Sequence, residues 1–312
     1  MKRTAVILGI VSLAIGIGIM SVAGWAGAQT SGQPAQQTPP AAGQAAPATG
    51  TTAPAGKRPP QFKTTPEQDA YNAAAASPSA AAMEKAADDF ATKFPDSEVR
   101  ALLYKNTMRL YQNSNNAEKT EAMGRKVLSY DADDPEALVI VAEVIAERTH
   151  DTDIDKDQRY AEATTMAQKA TQTVDTDITV PAGTPQDKID AYKGLLRSNA
   201  YSIIGTIEFK KENYTAAQDD LQKSIDAFPS QPDPVVILRL ALALDKQQKY
   251  PEALKAANRA VELTQGQETG VIGSAARRER DRLQQLTGGA APAPAPAPAP
   301  AAAPQPQAPP KN

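Results

Sequence analysis

The sequence predicts an all-α fold, a solenoid of about five antiparallel helix pairs ending in a capping helix. Three observations predict it. Between Tyr201 and Pro229, small and large residues recur at helical spacing: Tyr201, Ile204, Gly205, Tyr214, Ala217, Leu221 and Ile225. Two helices approach closely only where a small residue on one faces a bulky residue on the other, so Gly205 and Ala217 mark a crossing. The same spacing returns one unit later, at Ile237, Leu240, Ala241, Tyr250, Ala253, Ala257, Ala260 and Val261. Finally, proline and acidic turns punctuate the chain at lengths that suit helix pairs, and proline cannot continue a helix.

The first pair is expected from Pro66 through Tyr71 and from Ser79 to Phe94, closed by Pro95. Proline suits a first turn, and Met83, Ala87, Phe90, Ala91 and Phe94 recur at three and four as an amphipathic stripe. The second pair is expected over 97–112 (Ala101, Tyr104, Met108, Tyr111) and 117–130 (Ala122, Met123, Val127), closing in Asp131 to Pro135. The third runs over 135–148, with Leu138, Val141, Ala142 and Ile145 on one face, then over 160–173, with Tyr160, Ala163, Ala167 and Ala170. Insertions are expected at 149–159 and from 175 to about 185. The fourth and fifth pairs follow at the two motifs above. A last helix is expected over 271–286, with Ser274 as N-cap and a densely charged face from Arg277 to Arg282 that a terminal repeat needs toward solvent.

Tyr201, Ile204-Gly205, Tyr214-x-x-Ala217, Leu221, Ile225 and Pro229 resemble the tetratricopeptide (TPR) repeat, whose period is about 34 residues. Tyr160-x-x-Ala163 and Tyr250-x-x-Ala253 carry the same second-helix signature, whereas pairs one and two lack the Leu-Gly dipeptide and pair two lacks Tyr-x-x-Ala. The resemblance implies a right-handed superhelix whose concave surface is lined by the first helix of each pair and binds a protein or peptide partner. The partner-facing residues it implies are Asn199, Ser202, Thr206, Phe209 and Lys210 in pair four. In pair five they are Val235, Leu238, Leu242, Asp245 and Lys246. Ser202 and Thr206 stand where TPR domains that clamp a carboxylate tail need other residues, so that subtype is not expected.

The chain carries 33 Lys and Arg against 36 Asp and Glu, no Cys and one His. This balance leaves no basic footprint for nucleic acid, and the lack of Cys removes disulfide, thiolate and thiolate-metal chemistry. Met1-Lys2-Arg3, the apolar run from Ala5 to Val22 and Ala26-Gly27-Ala28 form the basic, apolar and small-residue parts of a secretory signal. Export to the periplasm or cell envelope with cleavage after Ala28 is therefore expected. An uncleaved anchor is the alternative, and it alone would put the chain in contact with the membrane. Residues 29–60 are rich in Gln, Pro, Ala and Thr, and 288–312 alternate Ala and Pro. Both are expected to be disordered, because neither can bury enough apolar surface to offset chain entropy. The domain boundaries expected are thus signal 1–28, linker 29–60, helical domain 61–287 and tail 288–312.

Catalytic and cofactor chemistry finds no support. Phosphate-cradling, nucleophile-elbow and zinc-protease motifs are all missing, and no small-molecule substrate is suggested. Asp151, Asp153, Asp155 and Glu162 match the acidic positions of a calcium loop, but Lys156 occupies the place of its turn glycine. An acidic solvated turn is expected there, with His150 solvated beside it. The functional expectation is a non-catalytic scaffold or adaptor in the bacterial envelope; the alternative is a structural or wall-associated spacer acting through its Pro-rich ends.

Overall fold

The structure, a computed structural model, describes residues 57–180, 183–266 and 270–288. The expected signal, most of the linker and the Ala-Pro tail lie outside these residues. Among the described residues eleven α-helices follow one another without a strand. They are α1 (Thr65–Ala75), α2 (Ala80–Lys93), α3 (Arg100–Asn113), α4 (Ala117–Tyr130), α5 (Pro135–Arg148), α6 (Lys156–Thr173), α7 (Gln186–Lys210), α8 (Tyr214–Ala227), α9 (Pro234–Lys246), α10 (Tyr250–Leu263) and α11 (Val271–Gly288).

Each helix packs on its neighbours in the chain. First helices of successive pairs also touch, α1 on α3, α5 on α7, α7 on α9 and α9 on α11. The first helices therefore share one inner face and the second helices lie outside it. This is the layout of a TPR-like solenoid, with α11 as its final helix.

The turn within a pair is the most regular device in the fold. Asn115, Glu212 and Gln248 have φ of 54°, 63° and 61°. Each is the second residue after its helix. The next amide donates back to a helix carbonyl, Asn116 to Tyr111 at 2.9 Å, Asn213 to Glu208 at 2.9 Å and Lys249 to Leu244 at 3.0 Å. The left-handed residue and this back-bond are a Schellman closure, which satisfies end carbonyls and reverses the chain in three residues. The same turn thus closes the first helices of pairs two, four and five. Pair two belongs to the repeat despite lacking the sequence signature.

Helix starts are specified locally. Thr64 and Glu67 form a reciprocal capping box on α1, Ser79 accepts from Ala82 N on α2, Asn116 from Lys119 N on α4 and Asp134 from Ala137 N on α5. Two starts differ from expectation. α3 begins at Arg100 because the Ser97 hydroxyl accepts from Val99 N at 3.2 Å and holds a turn first. α6 begins at Lys156, inside the expected insertion. In addition, Ser274 lies within α11 rather than capping it.

The core runs along the solenoid in three main clusters. Met108, Met123 and Val127 centre the first, Tyr160, Ala163 and Ile207 the second, and Leu221, Ile237 and Leu238 the third. Small-on-large contact brings the helices close. A Cβ on Gly205 would lie 2.8 Å from Leu221 Cγ, and one on Gly124 would lie 2.4 Å from Val141 Cγ2. The second insertion is not loose: Val174 and Ile178 bury against Leu196, with Val180 and Tyr192 beside them, and so anchor the extended N-terminal turns of α7.

Candidate functional site: the polar floor of the inner face

The inner face divides into two polar regions of different character. In the first, α3, α5 and α7 are tied by a closed network. Lys105 pairs with Asp134, and Arg109 holds Glu136 through Nε and Nη2, each at 2.5 Å. The Tyr192 hydroxyl donates to the same carboxylate at 2.7 Å. Glu136 is buried, and the Arg109 guanidinium overcomes that burial to hold its carboxyl below the usual range. Every strong charge here has a partner, so the network builds the inner face without offering much to a ligand.

The second region lies where α5, α7 and α9 meet, and its charges are unspent. Glu143 and Glu147 project from α5, Lys210 from α7, and Asp233 and Arg239 from α9 and its cap. Burial, reinforced by the nearby carboxylates of Glu147 and Asp233, pushes Glu143 up to about 7. Burial also raises Glu147 and Asp233, and lowers Lys210 and Arg239, each toward its neutral form. No ion pair within 4.0 Å joins these five groups to one another or to other described residues. Their hydrogen bonds go to neutral groups instead. Lys210 Nζ donates to Ala146 O in the last turn of α5 at 2.7 Å, and Arg239 Nη1 donates to Thr206 Oγ1 at 2.7 Å. Asp233 accepts from Val235 N at 2.7 Å as the cap of α9.

The residues named from sequence meet different fates. Thr206 and Lys210 line this floor, Asn199 and Lys246 are exposed, and Leu242 is half-buried against the core. Val235 and Leu238 are only 3% and 1% exposed and Ser202 is buried, so these three pack helices together and are removed from the partner-facing set. Phe209 stacks edge-on against Tyr214 at 5.4 Å and serves the turn between α7 and α8. Asp245 is held by Arg282 at 2.6 Å, which turns part of the expected outer charge of α11 inward. Sequence reading missed Glu143, Glu147, Asp233 and Arg239. Glu143 and Glu147 fall one turn apart on α5, a spacing common on solvated helices, and only the arrival of α9 makes them significant.

The calcium-like turn has its ligands engaged separately. Asp153 Oδ2 accepts from His150 N at 2.8 Å, while Glu162 sits in α6 and pairs with Arg125 at 2.7 Å. The described residues hold no group of three or more His, Cys, Asp or Glu arranged to bind a metal. No described helix is long and apolar enough to cross a membrane, and the apolar run 5–22 lies outside the described residues.

No family model and no curated protein sequence matches the chain. Solved structures similar to it include YrrB, described as a TPR protein with an unusual peptide-binding site. It is 18% identical with a TM-score of 0.43 over 66% of this chain and 87% of that one. TTC0263, a thermophilic TPR protein of Thermus thermophilus, is 12% identical with a TM-score of 0.41 over 67% and 98%. MamA protein is 17% identical with a TM-score of 0.37 over 60% and 88%. The repeated Schellman turns, the close small-on-large crossings and the shared inner face make this chain a TPR-like helical-repeat protein.

Proposed function

We propose that the protein is a non-catalytic adaptor of the bacterial cell envelope that binds an extended segment of a protein partner on its inner face. The observation that carries this reading is the floor formed by Glu143, Glu147, Lys210, Asp233 and Arg239. Among the described residues none of these groups has an ion-pair partner; Glu147 and Lys210 are exposed, while Glu143, Asp233 and Arg239 are partly buried beside them. A segment carrying both donors and acceptors would supply what these groups lack, and a preformed solenoid surface meets it at little ordering cost. Export rests on the Lys2-Arg3, apolar and Ala26-Gly27-Ala28 pattern, and the adaptor is placed in the envelope on that basis.

Partner capture from envelope extracts tests the adaptor reading. Full chain, a Glu143→Gln/Glu147→Lys variant and a chain lacking 289–312 are compared, with helicity checked by circular dichroism. The adaptor reading expects a specific partner retained without the tail and lost in the groove variant. Capture that follows the tail and ignores the groove variant supports the spacer reading instead. Export has its own test. Trp25 is the only tryptophan in the sequence, so protein recovered from the envelope after cleavage should show no tryptophan fluorescence and begin at Gln29.

A further inference from the structure

The turns that close successive pairs are acidic. Asp96 and Glu98 lie between α2 and α3, Asp131 and Asp133 between α4 and α5, and Asp175 and Asp177 between α6 and α7. An extended segment just before α1, residues 57–63, runs back across three of these turns. Lys63 Nζ donates to Asp96 O at 2.6 Å, and Arg58 Nη2 reaches Glu98 at 2.8 and 3.0 Å. The Gln61 amide adds a bond to Glu98 Oε2 at 3.2 Å. Further along, Lys57 Nζ meets Asp131 at 2.5 Å and Asp177 at 3.7 Å, and its backbone amide donates to Thr176 O at 2.8 Å. Phe62 packs edge-on against Tyr71 at 5.3 Å and fixes the near end of the segment.

These contacts are unusual for the architecture. A solenoid repeat normally touches only its neighbours, yet this segment joins the first pair to the junction of the third and fourth. Residues 57–60 were expected to belong to the linker; instead they lie on the domain. Three cations at 57, 58 and 63 answer carboxylates or carbonyls spaced along one edge, and Pro59-Pro60 keep the segment extended between them.

We propose that the acidic turn edge is a docking surface for an extended basic segment, and that residues 57–63 occupy it in cis as an electrostatic strap. The strap couples repeats that do not otherwise touch. It also moves the root of the N-terminal segment from the tip of the solenoid to its middle, beside Thr176, so anything attached upstream of residue 57 holds the domain by its flank.

Trypsin tests this on the full chain, because the strap carries its own cleavage site after Lys57, whereas Pro59 blocks cleavage after Arg58. Cleavage after Lys57 is timed against a synthetic peptide of residues 53–64 as an undocked standard. Glu98→Gln/Asp131→Asn/Asp177→Asn alters the receiving edge and leaves the cleaved sequence intact. Where opening is fast, the rate follows the undocked population, so loss of the ion pairs should speed cleavage about tenfold at low salt. At about 0.5 M NaCl, where exposed pairs are screened, wild type and variant should converge. Equal rates in wild type and variant at low salt, with unchanged helicity in both, overturn the proposal. The wild-type chain alone gives a second reading. Relative to the peptide its cleavage should accelerate with salt, and a salt-independent ratio also overturns the strap.

Discussion

At the residue scale, the fold depends on a few positions where size or backbone conformation is decisive. Gly205 admits no Cβ without pressing on Leu221, both on its side chain at 2.8 Å and on its backbone N at 3.0 Å. Gly205→Ala should therefore cost about 1–3 kcal/mol in urea denaturation, because the neighbouring backbone has little room to yield. The left-handed turn residues act in the opposite sense. Glu212 and Gln248 hold positive φ without being glycine, so Glu212→Gly and Gln248→Gly should each stabilise the protein by about 1 kcal/mol. Glu143 gives a pH signature. Its pKa rises from the ordinary 4.5 to about 7 on folding, so the folded protein binds the extra proton between these values. Its stabilising contribution is complete below 4.5 and is lost as pH rises through about 7. Glu143→Gln should remove that dependence and raise stability at about pH 8 by about 2 kcal/mol, readable as a flattened curve of midpoint against pH. Gly205 and Ala217 were legible in the sequence because their motif is explicit. Gly124 was not, since Thr120 stands where pairs three, four and five have the alanine of Tyr-x-x-Ala. Thr120 fits because its hydroxyl bonds Asn116 O at 2.9 Å and presents little more than a methyl group to the crossing.

At the scale of elements, α5 is the central strut. Residues from Pro135 to Ala146 are buried almost throughout, and Asp134 both caps the helix and pairs with Lys105 of α3. Asp134 and Lys105 are only 2% and 8% exposed, so removing one leaves the other charge stranded. Lys105→Ala should cost about 3–5 kcal/mol, and adding Asp134→Asn, which removes the stranded charge and keeps the cap of α5, should recover much of that loss. A thermal melt of the single and double variants checks both statements. Stripe and punctuation made most helices legible: α4 and α5 begin and end where the pattern places them. The insertions were less legible. The turn expected up to Arg159 already contains the start of α6, and the 175–185 segment contributes Ile178 to a small core. A lone apolar residue in a polar loop carries no periodicity, so nothing in the sequence announced that anchor.

Across the whole molecule, contacts are local and strung along one axis, with the strap as the exception. Backbone amides of α5, inside the solenoid and packed on three other helices, should exchange most slowly, and those of α11 faster. The fold class was legible because repetition is a long-range signal, independent of any single residue. The floor was not, because it exists only after α5, α7 and α9 are brought together, and its members lie up to 96 residues apart in sequence, from Glu143 to Arg239. The proposed partner site is this assembled inner face. Site-specific photo-crosslinking in intact cells addresses it most directly, with the photoreactive residue at the exposed Asn199 of α7 or at the exposed Gln222 of the outer helix α8. A defined crosslinked species is expected from position 199, lost on adding Glu143→Gln/Glu147→Lys, and none from position 222. Equal crosslinking from both, or from position 222 alone, would contradict it.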